Sequence, residues 1–326
     1  MKTTTLGSSG IVCEAIGLGT WAMGGWMWGG GDDAAAVDAI RASLDAGVRL
    51  IDTAPAYGLG HAETLVGRAL EGRRHDAVIA TKCGLVWHTR RGTHFFDEDG
   101  RPVHRHLGRD SIFFEVEESL KRLRTDYIDL YITHWQDATT PVEETMGALL
   151  DLKAQGKIRA IGVSNVSAET LAEYLRHGPV DAVQERYSLI DREIEAALVP
   201  LCQANDVAVL GYSSLAMGLL AGPIDPARQF TGDDQRATNP RFSAANRAAL
   251  QAFFAELEPV RADAGCPFSQ LMIAWTLAHG SVSVALCGAR NAAQARENAA
   301  AGAVALDAAS VAAIDATATR HLKTLG

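Results

Sequence analysis

Val48-Arg49-Leu50-Ile51-Asp52-Thr53-Ala54-Pro55-Ala56-Tyr57-Gly58 is the stretch from which the rest of this 326-residue chain is read. A short apolar run, Val48 to Ile51, stops at an acid, and a phenol follows five residues later beside Gly58. The run has the length of a buried strand, and the Ala, Pro and Gly beyond it cannot prolong one. Asp52 is therefore placed at the carboxyl end of a strand, with Tyr57 on the turn after it. Taken alone, the pattern also describes a surface strand end with a half-buried tyrosine.

On either side, strand-like segments alternate with helix-like ones. Residues 14–18 precede a helix over 34–46, and 49–52 precede 62–70. Residues 77–81 precede a helix over 110–123 with Asp110 or Ser111 as its N-cap. The series continues with 127–134 before 142–155, closed by Gly156, then 158–163 before 168–175 and 182–184 before 194–204. Residues 207–212 lead into a long segment and a helix over 268–278, and 282–286 lead into 292–299. Eight such units without a break in composition predict one (β/α)8 TIM barrel domain over residues 1–326, not an open doubly wound sheet. Residues 1–10 read as a short N-terminal hairpin, and 308–317 as an extra C-terminal helix. No G-x-G-x-x-G follows the first strand, which removes the main support for a Rossmann domain; Gly29-Gly30-Gly31 reads as a flexible loop. The connections 83–109 and 213–246 are too long for turns and are expected to wall a substrate pocket. The first carries Trp87, Phe95 and Phe96, the second Leu219, Phe230 and Phe242.

Composition narrows the function classes. Hydrophobic residues make up 48%, with no run of membrane-spanning length and no N-terminal targeting pattern, so a soluble cytoplasmic protein is expected. Five scattered cysteines without a CxxC pair suit reduced thiols. A net charge of −9 without a basic block speaks against nucleic acid. His88, His94, His104 and His106 share one connection, but no regular spacing makes them ligands, and no metal is expected. A monomer and a small homo-oligomer are both open.

The later strand ends give Asp52 company. Lys82 ends strand three and His134 ends strand four, so with Tyr57 four ionisable side chains meet at the mouth of such a barrel. Singly, each has a plainer role: a capping cation, a satisfied core histidine, the partner of a structural arginine. Together they suit proton donation to a carbonyl oxygen. A free tyrosine titrates at about 10. The Lys82 ammonium is expected to lower that value, while Asp52 keeps Lys82 charged and His134 orients the same oxygen. The set supplies an acid and no reductant, so a hydride must come from a cofactor.

Further motifs extend the pattern: Ile16-Gly17-Leu18-Gly19-Thr20-Trp21, Leu120-Lys121-Arg122-Leu123, Asp126-Tyr127-Ile128-Asp129-Leu130 and His134-Trp135. Beyond them lie Gly156-Lys157-Ile158-Arg159, Ile161-Gly162-Val163-Ser164-Asn165, Gln184, Tyr212-Ser213 and Gly288-Ala289-Arg290. Over essentially its full length the chain resembles the aldo-keto reductase family, and within it the bacterial general-stress and inositol-operon-type branch, which is similar to potassium channel β subunits. The resemblance implies a (β/α)8 barrel, NADPH/NADP+ as cofactor and reversible reduction of a small-molecule aldehyde or ketone. It implies Tyr57 as general acid, tuned by Lys82 and Asp52, with His134 orienting the carbonyl. Ser164, Asn165 and Gln184 match positions that bind the nicotinamide carboxamide, and Tyr212 the ring that stacks on it. Gly19, Thr20 and Trp21 match cofactor- and pocket-lining positions; Trp21, Tyr57, Trp87 and Trp135 are the expected substrate pocket. The run Ser213 to Gly222, with Leu215, Gly218 and Leu219, matches the segment over the pyrophosphate. Gly288, Arg290, Gln294 and Asn298, with Glu297, match the adenosine end, where Arg290 would pair with the 2′-phosphate. Gln136 and Pro223 depart from the family's usual Pro and Lys. Two rival readings remain: an NADPH-binding regulatory subunit with slow turnover, and a barrel lyase using Lys82 as a Schiff-base amine.

Overall fold

Leu50, Ile51 and Asp52 are all buried, as a strand covered on both faces requires. In the computed structural model, which describes residues 1–225, 227–323 and 325, they belong to a closed barrel of eight parallel strands. The chain enters through an antiparallel hairpin, β1 (Thr3–Thr5) and β2 (Val12–Glu14), and Ala15 separates β2 from the first barrel strand, β3 (Ile16–Gly19). α1 (Asp33–Asp45), β4 (Leu50–Asp52), α2 (His61–Ala69) and β5 (Val78–Cys83) follow. A separate three-stranded sheet is built from β6 (Leu85–Val86), β7 (Thr93–Glu98) and β8 (Arg101–Arg105). The alternation resumes with α3 (Arg109–Leu123), β9 (Ile128–Thr133), α4 (Val142–Ala154), β10 (Ile158–Ser164) and α5 (Ala168–His177). β11 (Ala182–Arg186), α6 (Leu198–Ala204), β12 (Ala208–Tyr212), α7 (Ala244–Ala264) and α8 (Phe268–Ala278) come next. β13 (Val284–Gly288) closes the barrel against β3, and α9 (Ala292–Ala300) and α10 (Ala308–His321) end the chain.

Period-two alternation sorts each strand into two faces. Leu50, Ala80, Leu130 and Ile132 fill the lumen with Leu210 and Leu286, and Leu6, Ile11 and Cys13 from the N-terminal hairpin join the same cluster. Ile51, Ile79, Tyr131 and Ile161 face outward to the helices. Two residues beyond Leu50, Ala80 and Ile132, the same inward rows reach Asp52, Lys82 and His134. Gly17 has no room for a side chain: a Cβ there would lie 2.7 Å from Leu286 and 3.1 Å from Leu50. The barrel and the C-terminal helix are those expected from the sequence; the hairpin runs past the expected residues 1–10 to Glu14, which belongs to it and not to the first barrel strand.

Several element boundaries differ from the expected ones. α3 begins at Arg109 with Gly108 as N-cap, so Asp110 and Ser111 lie inside the helix. Glu144 on α4 takes over the capping role, accepting from the Arg109 amide at 3.0 Å. The helix expected over 194–204 is split into a 3-10 turn, Glu193–Glu195, and α6. Pro200 explains this: it has no N–H, and its ring would clash with the carbonyl four residues earlier. α7, 21 residues long, has no counterpart in the sequence reading; it packs against α10. The 83–109 connection is a folded sheet whose Asp99-Gly100 corner has φ +49° and +71°, the left-handed pair of a type I′ hairpin turn.

Glu115 anchors the base of that sheet, accepting from the Gly84 amide at 2.9 Å and from Ser111 Oγ at 3.1 Å. Burial pushes its carboxyl up to about 8. The folded protein thus binds this proton more tightly than the unfolded chain does. The associated stability is full below the ordinary carboxylate value and is lost as pH rises through about 8. Glu115→Gln keeps an acceptor for Gly84 and removes the charge. The expected result is a variant more stable than the parent at pH 9, by on the order of 2–3 kcal/mol, with little gain at pH 5. Urea unfolding at the two pH values measures this; equal effects at both would show that ionisation of Glu115 is not the cause.

Candidate active site

Parallel pairing sets the groups side by side. Asp52 on β4 is in register with Ala80 on β5, and Lys82 with Ile132 on β9, while the His134 amide bonds the Cys83 carbonyl at 2.8 Å. Lys82 Nζ donates to Asp52 Oδ1 at 2.8 Å and Oδ2 at 3.0 Å, to the Thr53 carbonyl at 2.8 Å and to Tyr57 Oη at 3.2 Å. The three ammonium hydrogens are engaged, and the phenolic oxygen is an acceptor in its contact. The phenolic proton is therefore left to point elsewhere, and among the described residues nothing accepts it. The His134 ring stands edge-on to Tyr57 with centroids 5.7 Å apart.

The electrostatics correct one expectation. Burial, and after it the Asp52 charge, raise the Tyr57 pKa well above its ordinary value. Lys82 was expected to lower it, but Asp52 already neutralises the ammonium, so the cost of burying a phenolate decides the direction. Burial likewise lowers the Lys82 pKa, against the opposing pull of Asp52 and Glu63. Burial, then Lys82, pushes His134 well below its usual range, which makes it a neutral imidazole.

Other side chains hold the group in place. Gln184 Nε2 donates to Asp52 Oδ1 at 2.7 Å, and Thr20, fully buried, donates to the Asp52 carbonyl through both its amide and its hydroxyl. Glu63, also fully buried, accepts from Thr81 Oγ1 and Arg122 Nε at 2.6 Å each. Gly24 lets the first loop close over the turn: a Cβ there would lie 2.6 Å from the Tyr57 carbonyl carbon.

Above this floor opens a cavity of about 850 Å³. Asp52, Tyr57, His134, Trp21 and Trp135 line it, as do the expected cofactor positions Gly19, Ser164, Asn165, Gln184, Tyr212 and Ser213. Leu215, Gly218, Gly288, Arg290, Gln294 and Asn298 lie on the same wall. Lys82 is sealed beneath Tyr57 and Asp52 and is not on the surface of the cavity. Three expected positions do not line it either. Thr20 supports Asp52 from behind, Leu219 is fully buried as an anchor for its loop, and Trp87 packs into the cluster of Ala56, Leu85 and Val103. The aromatics of both long connections do wall the cavity, through Phe95 and Phe96 and through Phe230 and Phe242.

The lining suits a nicotinamide dinucleotide. Gly19 and Gly288 face each other in register at the ends of β3 and β13, and a Cβ on Gly288 would meet nothing closer than 4.0 Å. That leaves bare backbone facing the cavity where the first and last strands meet. Tyr212 is held as a platform by its hydroxyl, which donates to Asn165 Oδ1 at 2.8 Å, while Asn165 Nδ2 bonds the His134 carbonyl. Gln184 spends its Nε2 on Asp52 and leaves its Oε1 without a partner among the described residues. Gln136, at one of the departures, donates to the Ser164 carbonyl at 3.0 Å and accepts from Tyr174, so it steadies the end of β10. Ser213, Ala216 and Met217 all have positive φ, a left-handed run that non-glycine residues adopt at a cost. Gln294 and Asn298 also brace the β13–α9 corner, through the Arg290 amide and the Gly288 carbonyl.

Sequence reasoning missed Trp26, Met27 and Trp28, which line the cavity beside the triple glycine, and Arg228 and Arg236 on the opposite loop. The glycine loop is not loose: Asp233 accepts from the Met27 amide at 2.8 Å and the Gly29 amide at 2.9 Å. Arg236 is paired with Asp234, while Arg290 reaches the Trp28 carbonyl at 3.4 Å. Among the described residues no helix is long and apolar enough to cross a membrane.

Known proteins share this architecture and much of the sequence. The NADH-specific methylglyoxal reductase of Escherichia coli (strain K12) is 41% identical over 307 residues, 92% of this chain and 93% of its own. The glycerol dehydrogenase of Gluconobacter oxydans superposes with a TM-score of 0.86 at 38% identity, covering 97% of this chain and 94% of its own. An aldo-keto reductase from Klebsiella pneumoniae in complex with NADPH does so with 0.72 at 29% identity, covering 98% and 96%. The model of the aldo/keto reductase family matches residues 15–319, nearly everything from the first barrel strand to the last helix. A barrel of this build, carrying that match, is an oxidoreductase scaffold, and the chain belongs to the aldo/keto reductase family.

Proposed function

We propose that residues 1–326 form a single catalytic domain that reduces an aldehyde or ketone to the alcohol, reversibly, with NADPH and with Tyr57 as general acid. The observation that carries this is the contact of Lys82 Nζ with Tyr57 Oη at 3.2 Å, made while the same ammonium is clamped on Asp52. Held against these residues, a reduced nicotinamide would supply the hydride. Tyr57 Oη gives its proton to the carbonyl oxygen as negative charge builds there, and Lys82 steadies the phenolate left behind. Neutral His134 donates to the same oxygen and fixes its direction. Ser164, Asn165 and Gln184 would hold the carboxamide and Tyr212 the face of the ring; residues 213–219 would cross the pyrophosphate. Five buried cysteines, none paired, suit a reducing cytoplasmic setting. Among the described residues the exposed large apolar side chains, Met1, Val12 and Phe114, are divided between the N-terminal segment and α3, which offers little to a regulatory-subunit reading. A consumption assay with NADPH and NADH in parallel, over aliphatic, aromatic and sugar carbonyls, tests the reading; no turnover with any of them would end it.

Cofactor choice rests on Arg290, an exposed guanidinium at the adenosine end with Arg228 on the same wall. Arg290→Ala is expected to weaken NADPH about 10–100-fold and NADH by less than about threefold, the worth of one charge-assisted phosphate contact. Fluorescence titration of both dinucleotides reads this directly, and equal losses would remove the phosphate contact. One feature favours NADH instead: the Glu297 carboxylate also lines this end, bonded by Ser269 Oγ, and would repel a 2′-phosphate. The NADH-specific Escherichia coli relative gives that second reading weight.

A further inference from the structure

Two chains of aromatic contacts climb from the catalytic floor to the mouth of the cavity. On one side Tyr57 neighbours Trp21, whose ring meets Trp28 edge-on at 5.3 Å. On the other, Trp135 meets Phe95 at 5.2 Å and Phe95 meets Phe96 at 5.4 Å. Phe96 then stacks on Trp26 at 4.8 Å and 26°, which joins the β5–α3 sheet to the first loop above the site. Resting on the reductase reading above, we propose that this Trp26–Phe96 stack selects the substrate. The site takes uncharged carbonyl compounds carrying a flat aryl ring, in preference to polyhydroxylated or anionic ones.

Three features show that the stack is built and not incidental. In a regular strand Phe95 and Phe96 would face opposite sides, yet both line the cavity. A bulge between His94 and Phe96 re-aims them. Trp26 is held from both ends, by the close approach of Gly24 to Tyr57 and by the Asp233 clasp on Met27 and Gly29. Finally, the side chains that the sheet and the first loop give to the cavity are all uncharged and lack hydroxyl groups. The lining cations belong to the 228–236 segment and to Arg290, on the dinucleotide side, and Arg236 is already paired with Asp234. A polyol entering the aromatic end would give up its water and meet only indole N–H donors such as Trp28 Nε1, with no side-chain oxygen to accept from its hydroxyls. A phenyl ring would gain apolar burial and ring contacts.

The test uses three aldehydes with the same three-carbon core: propanal, glyceraldehyde and 3-phenylpropanal. The expected order of kcat/KM is 3-phenylpropanal above propanal by about tenfold or more, with glyceraldehyde below propanal. Phe96→Ala is expected to cut the 3-phenylpropanal to propanal ratio about tenfold, mainly through KM, because the ring binds ground and transition states alike. Phe96→Tyr should restore the ratio. Glyceraldehyde used as well as 3-phenylpropanal, or equal losses for all three substrates in Phe96→Ala, would overturn the proposal while leaving a reductase in place. Absence of turnover of all three with NADPH and with NADH overturns the reductase reading itself.

Discussion

Tyr57→Phe is expected to lower kcat for carbonyl reduction by about 10²–10⁴-fold, the usual contribution of a positioned general acid, while leaving the dinucleotide Kd within about threefold. The substitution is clean because the ring stays. Phenylalanine keeps the edge contact with His134 at 5.7 Å and the neighbour Trp21 at 6.3 Å, so the shape of the cavity floor survives. What disappears is the oxygen that accepts from Lys82 and carries the transferable proton. Lys82 retains Asp52 and the Thr53 carbonyl and stays in place. Single-turnover kinetics with a saturating dinucleotide separate the chemical step from binding. A variant within about tenfold of the parent would assign the proton to another donor. The pH profile adds a second check. Because burial and Asp52 raise the phenol's pKa, the acid form persists above its ordinary range, and no alkaline loss traceable to Tyr57 is expected below about pH 10.

The barrel was legible because its strands end abruptly. Leu50-Ile51 and Val78-Ile79-Ala80 are apolar runs that give way to Asp52 and to Thr81-Lys82, and a strand buried on both faces needs no other signal. α7 was equally written in the sequence and was overlooked. Ser243 is an N-cap, Leu250, Phe253, Phe254 and Leu257 follow helical spacing, and Gly265 stops the helix with φ +63°. The Asp99-Gly100 corner was a similar missed sign of a hairpin. The Arg109 end of α3 is different in kind. Its capping carboxylate comes from Glu144, 35 residues away, and local reading cannot see a cap supplied by another helix.

The site divides along the same line. Asp52, Lys82 and His134 could be placed from strand ends alone, because parallel pairing brings neighbouring ends together whatever the loops do. The direction of the Tyr57 shift could not. It depends on whether the ammonium acts alone or already paired, and the two Asp52–Lys82 contacts at 2.8 and 3.0 Å decide that only in three dimensions. Trp87 illustrates the limit for aromatics. It shares a connection with Phe95 and Phe96, yet a bulge turns those two to the cavity while Trp87 packs behind them. Trp26-Met27-Trp28 beside three glycines was a visible cluster, and its role appears only once Asp233, over 200 residues away, pins it across the mouth.

Lys82→Met is expected to remove activity and also to cost about 3–5 kcal/mol of stability, the penalty for stranding a buried charge. Asp52 is 4% exposed; without the ammonium its carboxylate would retain, among the described residues, only Gln184 Nε2 as a side-chain donor, at 2.7 Å. One neutral hydrogen bond does not offset the lost hydration of a carboxylate. Adding Asp52→Asn to Lys82→Met should therefore recover roughly half of the loss, since the second substitution removes the stranded charge. Urea unfolding of the two single variants and the double variant gives the coupling. Activity should not follow stability: the double variant is expected to fold and bind the dinucleotide while remaining inactive, because no ammonium then faces Tyr57 Oη. That separation matters, since a purely structural lysine would let catalysis return along with stability. A Lys82→Met protein as stable as the parent would instead mean that Asp52 reaches water or takes up a proton, and the clamp beneath Tyr57 would lose its electrostatic role.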